Sequence, residues 1–572
     1  MEPVVSHLHT FFLFPFSIDR DVVLHEHGAH WAGRRWIDGL DDWIRSHDAD
    51  APSLGRWHRA AYTQFGLDSP AYQDMVFFHP FVRRIYFDAL GMNAGEWEGE
   101  EMGGEGESLL RFYRLPVAGK KVTLYAEDNR NRRARVDVTD LRLILFANGI
   151  GILSLGVESA DLPAHEALWI NEMLRKLYPS SSRQLREGRC PSVIRLSVNG
   201  ETLIEEDFRS CGIRNYLPPL SQIIRRLLYF AHYEGQEYEA VLDERMIVYS
   251  YLSLDARSVP DDYRDSDAYQ VFVSRALYVD NFGEEYRYQS DFLRRQMIKQ
   301  LYRRWSHQGT YYGFTSFSNI TVSFGQFDCD EHQLREGFLI HRMFTSRYYL
   351  MALIALFYRA TLLDFSETTA LVTRRLYHDF QDQTLSADNI DLADTLRYEF
   401  ITFSNYWHFH ELANKDEEAE HFEMQCDAYR IDPMKTEIAE ELERLNGALN
   451  EYYQKRNTQA VNRLAMLSMI LGGGAVLTGF FGMNFGETFE KVFFHPSMET
   501  RAIHWAAVGL VATVTFGALM LGLYVIASNW SDYRDSLVSQ RQRAVPDRRR
   551  LSVKRVQSGV IDFRNGPGRG GG

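Results

Sequence analysis

The chain has 572 residues, 45% of them hydrophobic, and a mean hydropathy of −0.32. That length provides for two or three domains with a sizeable core, while the average polarity restricts any membrane-spanning part to a small share of the chain. The net charge of −14 is unevenly distributed. Residues 529–572 carry ten Arg and Lys against four Asp, a net charge of +6, so the rest of the chain has a net charge of −20. An acidic body with a basic tail argues against a nucleic-acid partner and favours the attraction of cations and of anionic lipid.

Residues 1–330 alternate between strand-like and helix-like patterns. Runs rich in aromatic and β-branched residues, such as HTFFLFPF near the start and KVTLYAE before residue 128, predict buried strands. The stretches 163–177 and 217–231 predict helices between such runs. We therefore expect a cytoplasmic α+β domain built in α/β/α layers.

A hairpin is predicted where Asn148 and Gly149 separate two apolar runs. Gly149 and Gly151 begin like a dinucleotide-binding loop, but Ser154 stands where the third glycine belongs, and the run lies between two strands. The sequence also has no P-loop, nucleophile elbow or HExxH motif. We therefore expect neither enzyme activity nor a resident cofactor.

The pattern of residues 331–432 predicts a helical cytoplasmic region. Its most apolar stretch, RYYLMALIALFYR, holds eleven uncharged residues between Arg347 and Arg359. Eleven residues of helix span about 16 Å, roughly half of a bilayer core. A buried helix of a soluble domain is the better interpretation of this stretch.

A stalk helix is predicted over residues 433–463. Asp432 and Pro433 suit a helix start, and no further proline occurs before Pro496. Apolar residues recur at steps of three and four, which indicates a seam against partner helices. The seam consists of Met434, Ile438, Leu442, Leu445, Leu449 and Tyr452.

Two membrane spans are predicted next, at residues 464–484 and 504–528. The first lies in a run of 23 residues without Asp, Glu, Lys or Arg, about 34 Å of helix and enough to cross a bilayer. The connecting extracytoplasmic loop, residues 485–503, is acidic overall, while the outer flanks are basic. The positive-inside rule therefore places both termini, including the tail 529–572, in the cytoplasm of a multi-pass protein of the inner (plasma) membrane.

The tripeptide GMN occurs twice, at 91–93 and at 482–484. The first copy follows a charged helical segment, FVRRIYFDAL, and its glycine is typical of a helix end. The second copy closes the first apolar span and precedes the acidic loop. In that setting the chain resembles the CorA-type magnesium channels, which carry GMN at the outer end of the first of two C-terminal membrane helices. The resemblance covers roughly residues 433–530 and implies a funnel-shaped homopentamer.

The resemblance implies a divalent cation channel, with Mg2+ as the first choice and Co2+ or Ni2+ as further cargo. Phe481 stands before the motif where the family usually has Tyr, and the glycine run 472–474 replaces a Pro-x-Thr-like segment. These departures, with the enlarged N-terminal domain, leave two alternatives open. One is a transporter of Zn2+ or another transition metal from the same superfamily, and the other is a membrane-anchored scaffold or sensor that does not conduct.

Gly482, Met483 and Asn484 form the selectivity filter that the resemblance implies, with one Asn484 side chain per subunit. Mg2+ dehydrates reluctantly, so a ring of neutral amide oxygens can hold the ion through its waters and still release it quickly. Glu487 and Glu490 are expected to concentrate cations at the mouth. The predicted pore-lining residues follow helical steps down from the motif: Thr458, Val461, Leu464, Ser468, Gly472, Ala475 and Gly479.

Two parts of this helix have specific interpretations. Val461 and Leu464 are expected to form a hydrophobic constriction that gates by dewetting. Gly473 and Gly474 fit a small-residue contact between helices as well as they fit a pore wall.

An acidic run after residue 415 is most simply a solvated helix face. The alternative is a set of inhibitory Mg2+ sites between cytoplasmic domains, which the family resemblance implies. The candidate ligands are Asp416, Glu417, Glu420 and Glu423, and Glu418 and Asp427 belong to the same run.

Two histidine-containing segments are interpreted as structural. HEHGAH, with His25, Glu26, His27 and His30, lacks the HExxH spacing and is expected in a surface loop. WHFHE, with His408, His410 and Glu411, is placed on a helix, where side chains at i and i+2 diverge.

Overall fold

The computed structural model describes most of the chain. The described residues are 2–60, 77–86, 109–117, 119–179, 181–209, 221–232, 237–242, 245–280, 290–324, 340–381 and 385–482, with twelve more between 502 and 524. They fall into two compact units, one within residues 1–439 and one within 440–550.

Thirteen strands among the described residues form one sheet in the first unit. They are β1 (Val4–Ile18), β2 (His58–Arg59), β3 (Leu110–Arg114), β4 (Val122–Glu127), β5 (Arg133–Phe146), β6 (Ile150–Pro163), β7 (Val193–Val198), β8 (Glu201–Asp207), β9 (Tyr238–Ala240), β10 (Ile247–Leu254), β11 (Leu301–Tyr302), β12 (Tyr311–Phe314) and β13 (Ser318–Phe324). Their order is β11-β12-β13-β10-β1-β6-β5-β4-β7-β8, with β3 also on β5, β2 on β3 and β9 on β1. Neighbouring strands run antiparallel except β10 and β13, which are parallel.

The strand β1 lies in the middle of the sheet, which confirms the prediction of a buried strand at HTFFLFPF. Leu8, Phe12 and Phe14 are fully buried in it. Pro15 lacks an N–H group and is normally excluded from central strands. It is accommodated because β10 pairs with β1 only as far as Leu13, and β9 takes over from Phe16.

Twelve α-helices complete the described part of the chain. They are α1 (Arg20–His27), α2 (Trp36–Ser46), α3 (Pro80–Tyr86), α4 (Ala164–Leu174), α5 (Ser182–Arg186), α6 (Gln222–Leu227), α7 (Asp267–Tyr278), α8 (Ser290–Gln300), α9 (Arg347–Gln381), α10 (Ala387–Thr402), α11 (Asp416–Tyr429) and α12 (Ile431–Gly482). Residues 340–345 are also helical, and Phe403–Trp407 form a π-helix directly after α10.

Helices cover the sheet on both faces, as α/β/α layers require. On one face the Thr10 hydroxyl of β1 donates to Asn171 of α4 at 2.8 Å, within a buried network that includes Ser250 of β10. On the opposite face the ring of Phe11, the next residue, lies 4.8 Å from that of Tyr349 in α9. Consecutive strand residues point to opposite faces, so β1 is packed between α4 and α9.

The predicted hairpin is present, since β5 and β6 pair antiparallel through a turn at residues 147–149. Gly149 has a φ of +94°, a conformation that favours glycine. Gly151 pairs with Phe16 of β1, whose ring occupies the space where a side chain of residue 151 would lie. The two glycines therefore serve the turn and the packing, and the rejection of a dinucleotide loop is consistent with this geometry.

The helix predicted at 163–177 is α4, and the one predicted at 217–231 is in part α6, since residues 210–220 lie outside the described residues. The first GMN, 91–93, also lies outside them, beyond α3. The last strand, β13, ends at Phe324, and the helices α9 to α11 follow.

Candidate functional site

The helix α12 contains the stalk and all but the last two residues of the first predicted span, 464–484, and so includes the first residue of the second GMN. It is unbroken over its 52 described residues, from Ile431 to Gly482, with Pro433 in its first turn. Met483 and Asn484 lie outside the described residues, as do Glu487 and Glu490. The structure therefore places Gly482 in α12 and leaves the rest of the predicted filter as a prediction.

The predicted seam of the stalk is largely buried, whereas the predicted pore line is exposed. Ile438, Leu442 and Leu449 are at most 5% exposed, and Leu445 is 9% exposed. All seven predicted pore-lining residues are exposed in the single chain, among them Val461 and Leu464 at 62% and 64%. Such side chains need a cover of lipid or of further copies of the chain, because soluble monomers rarely expose large apolar patches.

The glycines of α12 leave its surface open. A Cβ atom built on Gly472, Gly473, Gly474 or Gly479 meets no atom within 4 Å, apart from the helix itself. A second helix, another chain or a water-filled space could therefore approach the backbone closely along this stretch.

The predicted second span, 504–528, is described only in part. The described residues between 502 and 524 are helical, and Leu510, Phe516 and Tyr524 are 67–71% exposed. Among the described residues, one helix is long and apolar enough to cross a membrane, at residues 340–381, but 78% of its most apolar stretch is buried. That burial agrees with the prediction of a buried helix at RYYLMALIALFYR.

The acidic run lies on α11, and only part of it is a solvated face. Asp416 and Glu423 are exposed, but Glu418 is 3% exposed and accepts a hydrogen bond from the Arg347 guanidinium at 3.3 Å. Burial raises the pKa of the Glu418 carboxyl. The interpretation of the whole run as solvated is therefore wrong at Glu418, because the packed face of α11 includes this position.

Two other carboxylates of the run are held by aromatic side chains. The Trp305 indole N–H donates to Glu417 at 2.7 Å, and the Tyr302 hydroxyl donates to Glu420. These bonds tie α11 to the segment around β11. The proposed inhibitory Mg2+ ligation by Asp416, Glu417, Glu420 and Glu423 stays a prediction, and two of its four ligands have donors already in place.

After Trp407 the segment WHFHE is not helical, which corrects the prediction. The π-helix ends at Trp407, and residues 408–412 form a loop in which the rings of His408 and His410 lie 4.8 Å apart. His410 also lies 3.9 Å from the Asp432 carboxylate. Lys435 donates to Nδ1 of His408 at 3.1 Å, and burial lowers the pKa of His408 to about 3, with the Lys435 charge as a second cause.

HEHGAH is also not a loop in its first half, because His25, Glu26 and His27 belong to α1. Nε2 of His27 lies 2.7 Å from the Glu237 carboxylate, which is fully buried. That carboxylate also accepts the backbone N–H of His232. The pair closes the end of α1 against the segment before β9, a structural role.

A further cluster on the α9 side of the sheet was missed by the sequence reasoning. His7 and His9 of β1 converge with His341, from the helical residues 340–345, so that one ligand atom of each lies within 4.8 Å of the others. Glu158 of β6 pairs directly with His9 across the sheet. The signal was present in the sequence as His-Leu-His, because residues i and i+2 of a strand share a face.

Burial disfavours the charged form of the three histidines in this cluster. Burial lowers the pKa of His7, brings that of His341 to about 4, and lowers that of His9 well below its usual range. Burial also raises the pKa of Glu158. Neutral imidazoles keep a free lone pair on one ring nitrogen, which is the form that binds metals.

Residues 372–523 match the family model described as CorA-like Mg2+ transporter protein. This match supports membership of the CorA-type family for this part of the chain. CorA-type proteins are divalent cation transporters of membranes, not enzymes. No curated protein and no solved structure gives a significant match to the chain.

The CorA-type segment begins within α9, contains α10 to α12 and extends beyond the second GMN. It therefore reaches further toward the N-terminus than the resemblance at residues 433–530 had indicated. The sheet lies outside it, because β13 ends at Phe324.

Proposed function

We propose that the chain is a subunit of a divalent cation channel that passes hydrated Mg2+ through a pore lined by α12. The observation that carries the proposal is that α12 runs unbroken from the stalk to Gly482, the first residue of GMN, inside the CorA-type segment. A single helix that joins the stalk to the motif can carry both the pore wall and the start of the filter.

The pore requires several copies of the chain, and a homopentamer is the assembly that the family resemblance implies. One helix cannot enclose a channel, and the exposed line from Thr458 to Gly479 on α12 supplies small and weakly polar positions for a water-wide tube. Val461 and Leu464 are the two large apolar residues of that line, and a ring of such side chains would gate by excluding water. Copies packed along α12 would also cover these exposed side chains.

A ring of Asn484 side chains selects the ion in this proposal. Mg2+ keeps its octahedral water shell, and amide oxygens can accept hydrogen bonds from those waters without stripping them. Glu487 and Glu490 raise the local cation concentration at the outer mouth, and the electrochemical gradient drives the ion inward. Both termini lie in the cytoplasm of the inner (plasma) membrane in this topology.

The test is Mg2+ uptake into liposomes that contain the purified full-length protein and a Mg2+-sensitive dye. Asn484→Ala should reduce the flux at least about tenfold, the scale at which a single well-placed polar group acts. Asn93→Ala is a matched control, because it makes the same substitution in the other GMN. It should leave the flux at the wild-type value.

Equal fluxes in wild type and Asn484→Ala would contradict the filter. Strong Zn2+ uptake with negligible Mg2+ uptake in the wild type would favour the transition-metal alternative. No flux of any divalent cation in the wild type would favour the non-conducting scaffold or sensor.

A further inference from the structure

The cluster of His7, His9, His341 and Glu158 is built from three separate segments. His7 and His9 project from one face of β1, and Glu158 lies opposite His9 on β6. His341 comes from the helical residues 340–345, directly before α9. A sheet provides three of these positions, and the helical residues 340–345 above the same face provide the fourth.

The polar atoms converge at distances that suit a shared ion. Nδ1 of His9 lies 2.9 Å from Nε2 of His341 and 3.3 Å from a carboxylate oxygen of Glu158. The His7 ring stands at right angles to that of His341, with centroids 4.9 Å apart. A tetrahedral ion bound at 2.0–2.1 Å places its ligand atoms about 3.3 Å from one another, so small adjustments of these side chains would admit one.

The donor set selects the class of metal. Imidazole nitrogens with one carboxylate are ligands for Zn2+ and neighbouring transition metals, whereas Mg2+ prefers oxygen ligands in octahedral arrangement. The surroundings are acidic as well, because Asp137 pairs with Glu158 across the sheet and Asp140 lies near it. Arg142, whose charge acts on His9, is paired with Asp140 at 2.5 Å.

The other two histidine-containing groups are less suitable. His408 already receives a hydrogen bond from the Lys435 ammonium, which would compete with a cation. Glu237, the partner of His27, uses one oxygen for that histidine and the other for a backbone N–H. By contrast, the ligand atoms of His7, His9 and His341 lie within 4.8 Å of one another, and a Glu158 oxygen lies 3.3 Å from His9.

We propose that His7, His9, His341 and Glu158 bind one transition-metal ion of the Zn2+ class in the sheet domain. The site is separate from the ion path, since it lies outside the CorA-type segment. A bound ion would fasten residues 340–345, and with them the start of α9, to the two central strands β1 and β6. Metal binding at the site would thus make the helical part of the same unit respond to the transition-metal concentration.

Zinc binding to the tag-free, full-length protein in detergent tests the proposal. After removal of metals with a chelator, the wild type should take up about one Zn2+ per chain that millimolar Mg2+ does not displace. Co2+ in its place should give the intense visible absorption of a four-coordinate ion. His341→Ala and His9→Ala should each weaken Zn2+ binding more than about tenfold.

Two control variants separate this site from others. His378→Ala removes an exposed histidine of α9 and should bind Zn2+ as the wild type does. Asn484→Ala should also keep the site, so that a failure of the proposed filter is distinguishable from a failure of the zinc site. Thermal unfolding guards against misfolded variants, because Zn2+ should raise the melting temperature of the wild type and not that of His341→Gln.

Three results would overturn the proposal. The first is a wild-type protein that binds no Zn2+ in excess of His341→Ala. The second is equal Zn2+ binding by wild type and both ligand variants. The third is that His341→Gln lowers the melting temperature by the same amount with and without Zn2+. That result is expected if His9 and His341 form only a structural hydrogen bond.

Discussion

Lys176 and Glu172 form an ion pair inside the first unit, at the end of α4. Their side chains are 3.0 Å apart and only 5% and 6% exposed. Lys176 also donates to the backbone carbonyl of Arg189. Burial lowers the pKa of Lys176, with the Glu172 charge opposing that effect. Each charge therefore depends on the other to remain in the interior.

Lys176→Met should destabilise the protein by about 3–5 kcal/mol, because it leaves Glu172 buried without its partner. Urea or thermal unfolding of the purified protein measures the effect. Removing both charges, with Glu172→Gln and Lys176→Met together, should recover much of the loss. Arg183→Met is the matched control, since it breaks the exposed pair with Glu187 one helix further on, and its melting temperature should equal that of the wild type.

Asp280 makes the free energy of unfolding of the protein depend on pH. Burial raises its pKa to about 6, with the Glu172 charge as the second cause, while the usual value is 3.8. Between these two values the folded state binds more protons than the unfolded state, so the contribution of Asp280 to stability decreases as the pH rises toward 6.

Asp280→Asn should therefore gain stability relative to the wild type as the pH rises from about 4 to about 6.5, and the difference should then stay constant. Melting temperatures of both proteins at several pH values provide the measurement. Other titrating carboxyls, such as Glu158, are common to both proteins and cancel in the difference. A difference that is independent of pH would show that Asp280 titrates at its usual value.

Gly151 and Gly447 should respond to alanine in opposite directions. The Cβ of residue 151 would overlap the ring of Phe16, so Gly151→Ala is expected to cost about 1–3 kcal/mol by overpacking. Gly447 is exposed on α12 with no atom near the new methyl group, and Ala there should stabilise the helix by about 0.5–1 kcal/mol. Denaturation of the two variants beside the wild type tests both signs at once.

Gly472 and Gly474 distinguish a pore wall from a contact between helices. They are two residues apart and thus on nearly opposite sides of α12. Gly472→Leu should reduce Mg2+ uptake strongly while the oligomer stays intact, because the new side chain would narrow the proposed pore. Gly474→Leu should instead change the size of the oligomer, as measured by gel filtration. The reverse pattern would place the pore on the other face of the helix.

Local patterns in the sequence predicted the elements that depend on neighbouring residues. The central strand at HTFFLFPF, the hairpin at Asn148 and Gly149, and the buried helix after Arg347 are each fixed by short-range hydrophobic periodicity and turn residues. The helix through Pro433 is another such case, since a first-turn proline followed by an uninterrupted pattern is a local signal.

Features that depend on distant residues could not be predicted in the same way. Glu418 was placed on a solvated face because its neighbours in sequence are acidic, but its burial is set by Arg347, which is 71 residues away. His408 and His410 lie in a loop because the π-helix after α10 ends at Trp407. Nothing in the local composition indicated that end. His341 joins His9 over 332 residues, so only the His7 and His9 half of that cluster had a sequence signal.

The middle position of β1 has a consequence for synthesis on the ribosome. Its aromatic residues emerge first, but its partner β6 begins at Ile150 and its other main partner β10 at Ile247. At typical elongation rates the strand waits on the order of 10 s before the first partner appears. During that interval an apolar, uncharged segment with strong β-propensity is unpaired, which is a hazard for aggregation. Newly made chains should therefore depend on a chaperone that holds β1 until the sheet can close around it.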